Sequence, residues 1–425
     1  MSILEITLDE MLCARERRAE KQRRLTNEFG LPQLCFTMNI AGEVKDSPLI
    51  RLAFDDGMRS IAALPFAHRC ERREMHITGP EAYFVFDGDA EQIKRAAVEI
   101  EQRSPVARLF DMDVIGADGR KLERQIPRSC LICGQIAAVC ARSRAHGLES
   151  VKNAQQALLS DFAAEYYAQL ARNALTLEVC TTPKPGLVDR RNCGAHKDMN
   201  MGMFLRSIDV LGGFFNDSIL LGLRNKNVAD IMRRLRILGI EAQTRMLYAT
   251  GGVNTHRGAI YCMGLFLCAE AMCLVNDGLS AAETVTALVK SDLTVDDLNT
   301  NGAKACAAYG VSGARGEAAL GFPSARRAAQ ILRGYMHGHD ELMASALTLP
   351  HIMAELTDTN LLHRGGMDGL RFVQRQAKRI CALPEERRLS ELEALDDACI
   401  EKNLSPGGSA DVLALALLMV LAGCD

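Results

Sequence analysis

The stretch Arg257-Gly-Ala-Ile-Tyr-Cys-Met-Gly-Leu-Phe-Leu-Cys-Ala-Glu-Ala-Met-Cys-Leu-Val-Asn276 is apolar at helical spacing, with little of the apolar–polar alternation of a half-buried strand. The same texture recurs in Ala157–Cys180, Met203–Phe215, Ala229–Tyr248, Ala281–Leu288 and Asp411–Ala422. Gly-, Pro- and Asn-rich segments separate these runs and punctuate helices. From about residue 156 to 425 the chain is therefore expected to be all-helical.

Toward the N-terminus the texture changes. Leu8 to Phe29 is charged and helix-forming, and Ile93, Ala96, Ala97 and Ile100 predict a helix over Ala90–Arg103. Between them lie short candidate strands at Leu34–Met38, Ala82–Phe86 and Arg108–Ile115, with turn signals at Asp55-Asp56-Gly57 and Gly79-Pro80. Residues 1–155 thus read as an α+β domain in a multidomain chain. The boundary is expected between Ser150 and Ser160, where the linker is not Gly/Ser-rich and a helix can run through.

Composition narrows the function classes. The chain has 425 residues, 48% apolar and 24% charged, the balance of a globular protein. Residues 1–150 hold 22 basic and 23 acidic groups, and 151–425 hold 28 and 30. Neither half carries the positive excess that phosphate neutralisation by a nucleic-acid binder needs. Met1-Ser2-Ile3-Leu4-Glu5 lacks the basic and apolar regions of a signal peptide. The apolar run Val412–Cys424 is too short to span a bilayer and reads as a buried helix. Fifteen cysteines in a long chain of this kind suit reduced thiols, so a cytoplasmic, membrane-free protein is expected.

The loops of the helical half are denser in polar groups than connectors require. They are Glu178-Val-Cys-Thr-Thr-Pro-Lys-Pro-Gly-Leu-Val-Asp189 with His196, Lys197 and Asp198; Thr250-Gly-Gly-Val-Asn-Thr-His-Arg-Gly258; Asp358-Thr-Asn-Leu-Leu-His-Arg-Gly-Gly366; and Asn403-Leu-Ser-Pro-Gly-Gly-Ser-Ala-Asp411. Ser312-Gly-Ala-Arg-Gly-Glu317 adds another arginine and carboxylate. Pro183 and Pro185 fix the chain around Lys184, and Asn254 or Thr255 can cap the helix that follows. A helix start offers free N–H groups and a positive dipole end to a phosphate. The loops are read as converging on one site, with Arg and Lys holding phosphates and Asp and Glu coordinating Mg²⁺. The blander reading is helix punctuation. His351 reads as structural, and the single His339-Asp340 pair is weak support for a metal phosphohydrolase.

In the N-terminal half, Asp111 and Asp113 stand at i and i+2 of a strand and share a face. Two such carboxylates suit a Mg²⁺-dependent nucleotidyl transfer, against the alternative of a solvent face. Cys130-Leu-Ile-Cys133, Cys140 and His146 supply three thiols and an imidazole for tetrahedral Zn²⁺. The alternative is buried reduced cysteines beside phosphate-facing Arg142, Arg144 and His146.

Two resemblances follow from these motifs. Thr182–Asp189, Gly252–Ala259, Gly313–Glu317, Asp358–Gly366 and Leu404–Asp411 together resemble triphosphoribosyl-dephospho-CoA synthase over residues 160–425. That family is all-helical and joins ATP and 3′-dephospho-CoA, releasing adenine. The resemblance implies phosphate or substrate contacts from Lys184, Asn254, His256, Arg257, Arg315, Asn360, His363, Arg364, Gly407 and Gly408. Asp189, Asp198, Glu317, Asp358 and Asp411 are the candidates for base or Mg²⁺ ligand, with roles undivided; Asp189, Glu317 and Asp358 are the catalytic candidates. Phe36–Lys45, Gly79–Ala82, Arg108–Val114 and Pro127–His146 resemble apo-citrate lyase phosphoribosyl-dephospho-CoA transferase over residues 5–150. Ala41 and Glu43 depart from that family's usual N-I-P-G-P, while Asn39, Gly42 and Lys45 remain. This resemblance implies a nucleotidyltransferase-like domain, with Asn39, Lys45, Arg142 and Arg144 on substrate. It implies transfer of the phosphoribosyl-dephospho-CoA unit to a serine of the citrate lyase acyl carrier protein, with loss of diphosphate. The two activities are consecutive, so the chain reads as a bifunctional enzyme making and attaching the citrate lyase prosthetic group. The rivals are the same chemistry for the malonate decarboxylase acyl carrier protein, and a non-catalytic CoA- or nucleotide-binding regulator.

Overall fold

The computed structural model describes residues 5–225, 227–276, 278–292 and 301–424. Most of the N-terminal stretch Met1–Glu5 therefore lies outside the described residues. The chain divides into two compact units, Met1–Ala163 and Ala164–Asp425.

The first unit opens with α1 (Leu8–Phe29), started by a reciprocal capping box between Thr7 and Glu10 and stopped by Gly30 at φ 63°. It continues through β1 (Gln33–Met38), α2 (Pro48–Ala62), β2 (Ala67–Glu74), β3 (Glu81–Asp87), α3 (Ala90–Gln102), β4 (Phe110–Ile115) and the short α4 (Ala137–Ser143). The strands form one antiparallel sheet in the order β2-β3-β1-β4. Leu34, Phe36, Phe84, Phe86, Phe110, Met112 and Val114 are buried and alternate with the residues of the opposite face. Phe36 stacks on Phe54 of α2 at 4.5 Å and meets Phe110 edge-on at 5.3 Å. On the opposite face Cys35, Tyr83 and Val85 pack with Leu25 of α1.

Three expectations change here. Asp55-Asp56-Gly57 is not a turn but lies inside α2. Gly57 is needed for close approach, since a Cβ there would stand 2.3 Å from Phe36 Cζ. Arg108 and Leu109 belong to a 3₁₀ turn, so the last strand begins at Phe110. Strand β2, Ala-His-Arg-Cys-Glu-Arg-Arg-Glu, escaped notice because it is a mostly exposed edge strand with no apolar alternation.

Helix α5 (Leu148–Cys180) contains the boundary between the units, which falls after Ala163. The second unit continues with α6 (Met201–Arg224), α7 (Val228–Ala249), α8 (Arg257–Val275), α9 (Ala281–Lys290), α10 (Asn301–Tyr309), α11 (Gly313–Ala319), α12 (Pro323–Met336), α13 (Glu341–Glu355), α14 (Thr359–Cys381), α15 (Glu385–Glu401) and α16 (Gly407–Leu421). Helix α8 lies at its centre, packed by α6, α7, α9 and α16. It is apolar and long enough to cross a membrane, yet 67% of its apolar window is buried within the protein, as befits a core helix. The run at Val412–Cys424 is likewise buried from Leu413 to Met419.

Candidate functional site

Several helices of the second unit are started by a side chain of their own. Asn200 caps α6, Asn227 caps α7, Ser280 caps α9, and Asp340 caps α13. Helices α8 and α16 begin at His256 and Pro406 without such a cap. Their free N–H groups are met by carboxylates from elsewhere in the fold. Asp411, in the first turns of α16, faces the start of α8, where the backbone at Ala259 favours its charged form. Its Oδ2 lies where a Cβ on Gly258 would be, 1.9 Å away, so only glycine admits the carboxylate there. Asp358, the N-cap of α14, accepts from Asn360 and Leu361 at 2.9 and 3.3 Å through Oδ1. Through Oδ2 it accepts from the Ser409 N–H and Oγ at 2.8 and 3.1 Å, at the start of α16. Three helix starts are thus joined through two carboxylates, Asp358 and Asp411.

That junction is electrostatically loaded. Burial, with Glu178 and Asp358 nearby, pushes the Asp411 carboxyl up to about 8. Burial also raises Asp358, despite its hydrogen bonds. Glu178, near the end of α5, is buried and accepts from Lys184 Nζ at 2.6 Å, with Lys184 itself 2% exposed. Lys184 is therefore an internal counter-charge rather than an open phosphate hand.

His256 is buried at the start of α8. Its Nδ1 is 2.7 Å from Ser207 Oγ, and Phe204 meets its ring edge-on at 5.0 Å. Nε2 is buried without a hydrogen-bond partner, as is Thr255 Oγ1. Burial, and secondarily the Lys184 charge, lowers this imidazole to about 3, so it is neutral at physiological pH. A buried, neutral, unpartnered ring nitrogen is costly unless a ligand uses it. Asn254 does not cap by position, since His256 holds the cap position before α8, but its Oδ1 accepts the Arg257 N–H at 3.1 Å.

The remaining candidates have other employment. Asp189, expected as base or metal ligand, is buried and accepts from the backbone of Lys184, Arg191 and Asn192 at 3.0, 2.7 and 3.1 Å. It folds the proline loop. Glu317 takes the Ser324 N–H and Oγ at 3.0 and 2.8 Å, at the start of α12. Arg315 and Arg236 reach Asp292 at 3.4 and 3.0 Å. Arg364 donates to the Ala195 carbonyl and Asn403 Oδ1, both at 2.9 Å, and lies 3.1 Å from His196 Nδ1. Asp198 is exposed, 3.8 Å from His196. His363 is exposed, while Asn360 and Gly407 are close enough that a Cβ on Gly407 would be 2.6 Å from Asn360 Nδ2. A Cβ on Gly408 would crowd Asp358 at 3.1 Å. His351 meets Tyr335 Oη at 3.2 Å, and His339 pairs with Glu385 at 2.7 Å while Asp340 caps a helix. Glu178, Ser207, Asp396 and Ser409 were missed as site residues. Asp396 is buried and ties the Gly186 N–H and Asn192 Nδ2 at 2.9 and 2.7 Å, over some 200 residues of chain that no local pattern spans.

In the first unit, Asp111 and Asp113 do share a face of β4, between buried Phe110, Met112 and Val114. Each has a protein cation: Arg128 on Asp111 at 3.0 Å and Lys121 on Asp113 at 2.6 Å. The β1 register places Thr37 between Asp111 and Glu81. Glu81, buried and overlooked as a site residue, accepts from Arg18 at 2.8 Å and Tyr83 Oη at 2.7 Å. Lys45 donates to the Ile40 carbonyl, closing the loop that contains Gly42, and Asn39 is exposed with its carbonyl held by Gln155 at 2.9 Å. Arg142 and Arg144 are exposed on α4 and at its end.

The helical unit gathers carboxylates and a buried histidine at helix starts, and a small sheet unit with paired acids precedes it in the chain. The family model for ATP:dephospho-CoA triphosphoribosyl transferase matches residues 164–424, and that for apo-citrate lyase phosphoribosyl-dephospho-CoA transferase matches residues 6–162. The chain belongs to the first of these families, carried in fusion with the second. Protein CitXG of Haemophilus influenzae is 35% identical over 98% of this chain and 96% of its own length. The 2-(5''-triphosphoribosyl)-3'-dephosphocoenzyme-A synthase of Pectobacterium atrosepticum is 41% identical over 59% of this chain and 87% of its own. That of Haemophilus ducreyi is 35% identical over 68% and 98%.

Proposed function

We infer that this chain performs both steps of citrate lyase prosthetic-group biosynthesis. The second unit makes 2′-(5″-triphosphoribosyl)-3′-dephospho-CoA from ATP and 3′-dephospho-CoA. The first unit, nucleotidyltransferase-like in its paired strand carboxylates, transfers the phosphoribosyl-dephospho-CoA moiety to a serine of the citrate lyase acyl carrier protein. The observation that carries the reading is that both family matches lie in one chain, and one relative spans both at 35% identity.

In the first step the 2′-hydroxyl of dephospho-CoA attacks C1 of the ATP ribose. A C–O bond forms, the glycosidic C–N bond breaks, and adenine leaves. His256 Nε2 takes the hydroxyl proton. Burial and Lys184 hold this nitrogen low; a triphosphate beside it raises its basicity, because an anion favours the imidazolium. Ser207 fixes the ring through Nδ1. The starts of α8 and α16 face anions with N–H groups, and Arg364 holds the proline and α16 loops together at the edge. The charge balance fits Mg²⁺, since burial, and after it the neighbouring carboxylates Glu178 and Asp358, raise Asp411. Asp411 and Glu178 would hold the ion, which would neutralise the triphosphate.

In the second step the acceptor serine oxygen attacks the phosphorus nearest the ribose and diphosphate leaves. Asp111 and Asp113 would hold Mg²⁺ there once Arg128 and Lys121 release them.

The test supplies ATP, Mg²⁺ and 3′-dephospho-CoA, and measures free adenine. Adenine is expected only when both substrates are present. Release of ADP or phosphate without adenine would reject the first activity. Addition of apo acyl carrier proteins of citrate lyase and malonate decarboxylase identifies the acceptor by mass, with citrate lyase expected.

A further inference from the structure

Residues 117–150 have almost no interior. Cys130 is the only buried residue among them, and α4 buries none of its side chains. Apolar burial therefore cannot organise this segment. Yet the chain brings Cys130, Cys133, Cys140 and His146 together from a hairpin, a helix and the loop after it. Their ligand atoms all lie within 4.8 Å of one another. Cys133 Sγ is 3.5 Å from Cys140 Sγ and 3.3 Å from His146 Nε2. Sulfurs at about 2.3 Å from a tetrahedral zinc are roughly 3.8 Å apart, so these spacings bracket a zinc cage.

The local backbone supports the arrangement. Ser129 and Ile136 bridge across the hairpin, and Gly134 turns it at φ 74°. The Ile132 N–H points at Cys130 Sγ from 3.4 Å, as expected where a thiolate needs hydrogen bonds. The base of the hairpin is pinned to β4 and the 3₁₀ turn before it: Arg128 reaches the Phe110 carbonyl at 2.8 Å and Asp111 at 3.0 Å, and Arg108 reaches Ser129 Oγ at 3.1 Å.

We propose that Cys130, Cys133, Cys140 and His146 bind one zinc ion, which serves residues 117–150 in place of a hydrophobic core. Four protein ligands close the coordination sphere and leave no position for substrate, so the ion is structural.

The test uses the full chain, purified in reductant without chelator. Metal analysis should find about one zinc per chain. Cys133→Ser and Cys140→Ser should each fall below a tenth of that, while Cys13→Ser, an exposed cysteine on α1, should keep it. Cobalt supplied to zinc-stripped protein should give the intense visible bands of tetrahedral thiolate coordination. Stripping should also open Arg142 and Arg144 to trypsin, with the far-ultraviolet spectrum of the helical unit unchanged. Wild-type protein that holds under a tenth of an equivalent, even after incubation with zinc in reductant, would overturn the proposal. So would Cys133→Ser retaining the full zinc content. A Cys133–Cys140 disulfide as the true state would appear as two fewer titratable thiols in protein that takes up no metal.

Discussion

Gly258→Ala tests the site through one methyl group. Its Cβ would fall 1.9 Å from Asp411 Oδ2 and 2.6 Å from Cγ, where ordinary contact begins near 3.4 Å. The carboxylate must therefore retreat by about 1.5 Å from the start of α8. The obstacle is the end of a short side chain rather than backbone, so the fold can yield cheaply. Overpacking costs about 1–3 kcal/mol, and alanine in place of glycine in a helix returns up to about 1 kcal/mol. The net destabilisation should stay below about 2 kcal/mol. Activity has no such tolerance, because a misplacement of about 1 Å can cost about 10²-fold. Adenine release should fall at least that far, while transfer from supplied triphosphoribosyl-dephospho-CoA to the acyl carrier protein should be unchanged. Thermal melts report the fold, and chromatography of adenine reports the rate. A folded Gly258→Ala enzyme within threefold of the wild-type rate would refute the placement of Asp411 in the reaction.

Asp411→Asn should separate stability from activity. The folded carboxyl is raised to about 8, so stability is lost as pH rises from the unfolded value near 4 through 8; the amide should melt higher than wild type at pH 8, yet release adenine far more slowly. His256 behaves oppositely, because its folded value is depressed to about 3: as pH falls from 6.5 toward 3 the unfolded state takes the proton, costing up to roughly 1.4 kcal/mol per pH unit. His256→Gln should flatten that slope in denaturant titrations. Lys184→Met strands Glu178 as a buried, unpaired charge and should cost about 3–5 kcal/mol in urea melts, most of it recovered by adding Glu178→Gln. Asp113→Asn should slow transfer by about 10²–10³ while leaving adenine release nearly unchanged; parallel loss of both would sink the division of labour.

Helices were legible wherever apolar periodicity was strong. The expected helix Leu8–Phe29 coincides with α1, and Arg257–Asn276 with α8 to within a residue. Strand β2 was invisible because an edge strand needs no buried side chains. Gly57 misled because close approach to an aromatic ring and a turn leave the same letter in a sequence. The site was legible as loops but not as roles. Asp189, Glu317, Asp358 and Asp411 look alike in a motif, yet the first three accept backbone N–H groups of their own loop or of a helix start. What distinguishes Asp411 is a glycine more than 150 residues earlier. Glu178 and Lys184 form a pair only because the proline loop folds back on α5.

The ties from Asp396 to Gly186 and from Ser405 to His196 join residues separated by 210 and 209 positions. Asp358 and Asp411 complete the same junction from the last quarter of the chain. During synthesis the sheet unit has all of its strands outside the ribosome long before this happens, and domains fold as units from the N-terminal side. The attaching half can thus mature first, while the half that makes its substrate waits for the final helix to be translated. A nascent or prematurely terminated chain would consume the intermediate but never produce it.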